Sequence, residues 1–240
     1  LITGFYNQIF MTNSAIIAID GPAGAGKSTV TRQVAKRLGL VYLDTGAMYR
    51  AVTWLLQSLN LPAQESKALE QALSALELRL EAQPQGDQLV WVNGKNVTEQ
   101  IRTAEITAGV SAVAALPSVR NALTAQQRRL GASGGLVAEG RDIGTAVFPN
   151  AELKVYLTAT VAERARRRSA DLSQRGLPLP GLEQLEQEIN RRDQLDSTRA
   201  VAPLCKASDA LELVSDGMSI EQVVQQIVSW YEVKLLPPRP

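Results

Sequence analysis

A three-layer α/β fold built on a central parallel sheet is what this sequence predicts, and three observations carry the expectation. Short apolar runs recur along the 240 residues and alternate with charged stretches of helical spacing, the pattern of strands joined by crossover helices. The first run leads at once into a glycine-rich turn and then into a helical pattern. Between residues 61 and 102 the character changes to a hairpin, which marks an insert in the sheet's connections.

The first strand is expected at 15–20 (AIIAID), and the helix after it spans Ser28 to Leu38 and closes at Gly39. A second strand follows at 40–43 (LVYL), with later ones at 136–138, 153–157 and 210–214. Within the insert, a polar helix-like stretch at 65–82 precedes QLVWVNGKNV, where Asn93-Gly94 is a hairpin turn signal. A basic helix is expected at 164–176, GLPLPG punctuates the chain, and helical spacing resumes at 182–193; a mobile flap suits residues 162–182. Ile220, Val223, Val224, Ile227 and Trp230 give 219–233 one apolar face to lay on the sheet. Residues 14–60 and 103–240 therefore form the expected core, 61–102 the insert, and 1–13 a disordered tail. Trp54, Trp91 and Trp230 are assigned to packing.

Composition narrows the chemistry. The chain holds 25 basic and 24 acidic residues, a formal charge of +1, so no global field draws it to nucleic acid or to a membrane surface, and any anion site is local. Histidine is absent, which excludes Ser-His-Asp and Cys-His catalysis and histidine-ligated zinc. The single Cys205 has no partner for an internal disulfide, and no apolar run reaches the roughly 20 residues of a membrane span. A reducing cytoplasm is the expectation.

Residues 21–28, GPAGAGKS, match G-x-x-x-x-G-K-[ST] between the first strand and the first helix, the context that confirms a phosphate-binding P-loop. Gly21, Pro22, Ala23, Gly24, Ala25 and Gly26 form the loop whose backbone amides converge on phosphate oxygens, and Lys27, Ser28 and Thr29 open the helix whose positive end faces them. Lys27 is expected to reach the β and γ phosphates of ATP, and Ser28 to offer its hydroxyl to a bridging Mg²⁺.

The acceptor is sought at the carboxyl ends of the strands, where open α/β sheets bind ligands. Asp44-Thr45-Gly46-Ala47-Met48-Tyr49-Arg50 follows the second strand, and Glu139-Gly140-Arg141-Asp142-Ile143-Gly144-Thr145 the third; Arg141 and Asp142 alone would read as a self-paired surface salt bridge. The run Arg191 to Arg199 adds guanidinium groups suited to phosphate recognition.

These segments together resemble the bacterial cytidylate (CMP) kinases from about Ser14 to Tyr231, through GPAGAGKST, LDTGAMYR, the NGKNV hairpin, QIRT, EGRDIGT, ERARRR and RDQLDSTRAVAPL. The resemblance implies a monomeric nucleoside-monophosphate kinase: a parallel-sheet core, an acceptor-binding insert and an arginine-rich lid that closes over ATP. Matched position by position, it makes Thr45, Arg50, Ser111, Arg120, Arg141, Asp142, Arg192, Asp196 and Arg199 candidates for contacting CMP or dCMP. Asp142 would accept from the exocyclic amino group of cytosine, with Arg120 and Ser111 completing the base site. Arg192 and Asp196 would read the sugar, while Arg50, Arg141 and Arg199 would serve the α-phosphate and the transferring group. Lys27, Arg141, Arg192 and Arg199 are the implied catalytic set. Leu195 departs from some relatives, which carry a charge there, but leaves the spacing intact.

Neighbours on a helix lie about 100° apart, so Arg164, Arg166, Arg167 and Arg168 cannot all face one way; Arg164 and Arg168 are taken to meet ATP and the others to be solvated. In some relatives such a domain follows a pantoate-activating ligase in one chain, and the leading segment here reads as a linker remnant or a misassigned start. Two other readings stay open: a kinase for another acceptor such as UMP or shikimate, and a P-loop NTPase regulator, against which stands the lack of an extended apolar strand ending in aspartate.

Overall fold

The computed structural model describes residues 14–83 and 88–235, so the tail expected at 1–13 lies outside the described residues. Five parallel strands form the sheet: β1 (Ile16–Asp20), β2 (Val41–Asp44), β6 (Leu136–Gly140), β7 (Leu153–Thr158) and β8 (Leu211–Val214), in the order β2-β6-β1-β7-β8. Alternation along β1 assigns its faces. Ile17 and Ile19 pack with Val30, Val34, Val224 and Ile227 of α1 (Lys27–Leu38) and α8 (Ile220–Leu235). Ala18 turns the other way, into a cluster with Met48 and Val52 of α2 (Thr45–Ser58), Val110 of α4 (Ala104–Ala114) and Leu123 of α5 (Pro117–Leu130). Helices on both faces of a parallel sheet give the three layers.

Local chemistry sets the element ends. Gly26, with φ 83°, hands the chain to α1, which stops at the left-handed Gly39. Asp44 caps α2 by accepting from the Ala47 N–H at 2.9 Å, and Thr103 caps α4. Pro117 starts α5.

The insert contains α3 (Lys67–Ser74) and a three-stranded antiparallel sheet of β3 (Leu78–Glu81), β4 (Leu89–Val92) and β5 (Lys95–Asn96). Its hairpin turns at Asn93 and Gly94, both at positive φ, as the sequence predicts. The helix expected across 65–82 is a correction: it ends at Ser74, because Leu78 and Leu80 alternate with Arg79 and Glu81 and pair with β4, so period two prevails over 3.6. Leu69, Leu78, Val90, Val92 and Ile101 join the same apolar cluster as α2 and α5.

The remaining helices, α6 (Val161–Gln174) and α7 (Leu182–Thr198), carry a small cluster of their own: Val161, Ala165, Leu172, Leu185 and Ile189. Trp54 and Trp230 pack on the two large clusters, while Trp91 is half-buried beneath the Arg79 guanidinium.

Candidate active site

Sheet register brings the functional segments to one edge. Asp20 is level with Gly140 and with Tyr156, and Asp44 with Glu139, so the P-loop, the start of α2 and the 141–147 turn all leave the sheet at the same end. Gly21 is required there: a Cβ on it would lie 2.0 Å from the Leu157 carbonyl oxygen. Gly140 is equally constrained, since a Cβ would meet Ile143 and the Thr45 hydroxyl within 2.8 Å.

The loop ends at α1 with Ser28 and Thr29 exposed and Lys27 buried, its Nζ donating to the Pro22 carbonyl at 2.8 Å. Burial pushes the Lys27 ammonium down from its usual range, and Arg141 and Arg192 nearby push it further. Glu139, near the end of β6, is pushed up by burial and then by Asp44; it accepts from the Tyr42 hydroxyl and lies beside the Ser28 side chain. Asp20 is raised to about 6, first by burial, although it accepts the backbone N–H groups of Ile143 at 2.8 Å and Gly144 at 2.7 Å. Those two bonds fix the turn that carries Arg141 and Asp142.

Arg141 and Asp142 do not pair with each other. Arg141 Nε donates to Asp196 at 2.8 Å, whereas buried Asp142 accepts from Arg120 of α5 and, at 3.1 Å, from Arg199. Arg120 also lies over the Tyr49 ring, 5.4 Å from its centre. Ser111 donates to Asp196 at 3.4 Å, which places it beside the Arg141–Asp196 pair. The buried Thr45 hydroxyl is committed to the Glu139 carbonyl at 2.6 Å, so it ties α2 to β6. Arg50 donates to the Thr107 hydroxyl at 2.8 Å.

Among the arginines of this group, Arg192 differs in that its buried Nε has no hydrogen-bond partner. Burial, then Arg141 and Arg50, push its guanidinium down to about 9, with Arg168 adding to the same effect. Burial lowers Arg50 as well, helped by Arg141 and Arg168. Lys27, Arg50, Arg141, Arg168 and Arg192 thus crowd one space from five different segments. A guanidinium so placed stays charged at neutral pH, and such crowding is relieved by an anion.

In α6, half-buried Arg168 reaches Asp171, and Arg166 pairs with Glu163. Arg164 is buried: its Nε donates to the Ala159 carbonyl at 2.9 Å and its Nη1 to the Ala23 carbonyl at 2.9 Å. Arg167 corrects the expectation that it is solvated, because it donates to Ser215 and lies 3.9 Å from a Cβ built on Gly26.

Sequence reasoning missed Asp20, Tyr42, Glu139 and the role of Asp193, whose carboxylate accepts the Ala23 N–H at 3.1 Å. Glu139 had a signal: β6 is an apolar strand ended by a carboxylate beside the P-loop, with glutamate where aspartate was sought.

A family model described as cytidylate kinase matches residues 17–233. Curated relatives described as bifunctional pantoate ligase/cytidylate kinase include one from Synechococcus sp. (strain RCC307), 64% identical over 96% of this chain and 46% of its own length. Another, from Prochlorococcus marinus (strain MIT 9303), is 60% identical over 95% of this chain and 47% of its own, and a third, from Synechococcus sp. (strain CC9605), is 60% identical over 97% and 49%. The chain spans about half the length of the curated relatives it matches.

Proposed function

The chain belongs to the cytidylate kinase family, and from that premise we propose that it transfers the γ-phosphate of ATP to CMP or dCMP, giving CDP or dCDP. The observation that carries the proposal is the crowding of Lys27, Arg50, Arg141 and Arg192 at the strand ends beside the P-loop, with a buried Arg192 nitrogen left unpaired.

In this reading the donor triphosphate lies along the amides of 21–28 and Lys27 grips its outer phosphates. Polyanion binding reverses the pressure on the Lys27 proton, so the side chain is charged when it is needed. Arg50, Arg141, Arg192 and Arg199 hold the acceptor phosphate in line and spread the charge of the transferring group. An acceptor phosphate oxygen is already ionised near neutral pH, so no general base is required. Asp142 holds the cytosine amino group: Arg120 and Arg199 take two of its roughly four acceptor positions, and lone pairs remain. Arg192 and Asp196 face the sugar, and α6 with the 175–181 connection acts as a lid that excludes water.

The donor set beside the loop fits Mg²⁺: the Ser28 hydroxyl lies beside the Glu139 carboxylate, and the Asp20 carboxylate lies near Lys27, so the three side chains offer hard oxygen ligands. Ser28 would hold the ion with support from Glu139 and Asp20, and the ion would supply neutralisation of phosphate charge. Among the described residues no helix is long and apolar enough to cross a membrane. A cytoplasmic monomer is the proposed setting.

The test is ADP release from Mg-ATP with CMP, dCMP, UMP, AMP, GMP or no acceptor. Fast turnover with CMP and dCMP alone is expected, and Lys27→Ala should cut kcat by roughly 10²–10³-fold. A different best acceptor would overturn the Asp142 assignment, and acceptor-independent hydrolysis would favour an NTPase.

A further inference from the structure

The side chain of Asp193 turns away from the acceptor cluster and toward the donor loop. One carboxylate oxygen accepts the Ala23 N–H at 3.1 Å, and the other accepts from Arg164 Nη1 at 2.5 Å. The same Arg164 nitrogen donates to the Ala23 carbonyl at 2.9 Å, and its Nε to Ala159 at 2.9 Å. Both polar groups of one P-loop residue are therefore held by an ion pair drawn from two helices. The Arg164 Cβ also sits 3.3 Å from the place a Cβ would take on Gly24, so α6 lies directly on the loop.

A salt bridge that only joined α6 to α7 would have no need of Ala23. Those helices already share the Val161, Ala165, Leu172, Leu185 and Ile189 cluster. With Arg164 5% and Asp193 22% exposed, the pair spends buried hydrogen-bonding capacity on the loop's main chain. Along α7, Arg192 precedes Asp193 and Asp196 follows one turn later, and both belong to the acceptor cluster. One helix thus touches the donor loop and the transferring arginines within a single turn.

We infer that Asp193, together with Arg164, is a positioning pair that registers the donor loop against the helix carrying Arg192 and Asp196, so that nucleotide in the loop and the arginines of transfer are aligned by one carboxylate. The inference rests on the kinase reading for its purpose, but its first test does not use the acceptor. ADP affinity is measured by calorimetry for the intact protein, Asp193→Ala, Asp193→Asn, Arg164→Ala and the double alanine variant, alongside urea unfolding and kcat with ATP and CMP.

Loss of the pair should weaken ADP binding about tenfold in either single alanine variant, with the double variant no worse than the poorer single one. The kcat of Asp193→Ala should fall about a hundredfold, and Asp193→Asn, whose amide oxygen still accepts the Ala23 N–H, should recover much of the ADP affinity. Alanine variants that lower the urea midpoint but bind ADP as the unaltered protein does would overturn the inference, as would purely additive losses. If the unaltered protein binds ADP but leaves CMP unphosphorylated, the acceptor reading fails while the ADP arm still decides the role of Asp193.

Discussion

The insert and the α6–α7 pair are both additions to the same sheet, yet they are attached by different forces. Leu69, Leu78, Val90 and Val92 of the insert lie inside the main apolar cluster with Met48 and Leu123, so the insert cannot lift without exposing the core. α6 and α7 keep their apolar contacts to themselves and meet the body through ion pairs and hydrogen bonds: Asp193 to Ala23, Arg141 to Asp196, Arg199 to Asp142 and Arg167 to Ser215. Leu177, Leu179 and Leu182, at the joint between them, are exposed. Polar ties exchange readily with water or with a ligand's phosphates, whereas apolar burial does not, so the second attachment suits a moving part and the first a fixed wall.

The largest effect that could break this contrast is on the insert side. Leu69→Ala removes a fully buried side chain and should cost about 2–5 kcal/mol of global stability. Urea unfolding followed by tryptophan fluorescence, with Trp91 in the insert and Trp54 in the body, should remain a single transition coincident with far-UV dichroism. Two transitions would make the insert a separate unit.

A smaller effect tests the joint between β1 and the 141–147 turn. Asp20 is raised from its ordinary 3.8 to about 6, so between those pH values the folded protein holds a proton that the unfolded chain has released. Its contribution is complete below the ordinary value and is lost as pH rises through about 6. Asp20→Asn should therefore flatten the decline of the urea midpoint over that window, a difference of up to about 3 kcal/mol. An unchanged pH profile would contradict its burial in the proton-sensitive position.

The smallest global effect belongs to the α6–α7 pair. Leu185→Ala opens a cavity in the α6–α7 cluster but should lower the global unfolding free energy by less than about 1 kcal/mol, while amides of 161–198 exchange faster. A loss as large as that for Leu69→Ala would mean that α6 and α7 are part of the main cooperative unit.

What the sequence made legible follows the range of the interactions. The P-loop and its helix were readable because glycines, lysine and serine at fixed spacing act within eight residues, and the Asn93-Gly94 turn is equally local. Most strands, too, declared themselves by apolar runs; Lys95–Asn96 was legible only through the turn before it, and the pairing of Leu78–Glu81 with β4 outweighed helical composition. Contacts that depend on register were not readable. Asp20 is 123 residues from the Ile143 amide it accepts, and Asp193 is 170 from Ala23. Arg164 illustrates the limit: a basic lid helix beside an ATP site suggests a phosphate ligand, but only the packing of α6 on Gly24 turns that guanidinium to the loop's main chain.

Hydrogen exchange measured by mass spectrometry, with and without saturating ADP and no acceptor, tests the contrast most directly. The account predicts that amides in 161–198 gain protection on ADP binding while those of Leu69, Leu78, Val90 and Val92 hold the protection they already have. Equal or greater gains in the insert, with α6 and α7 unchanged, would contradict it.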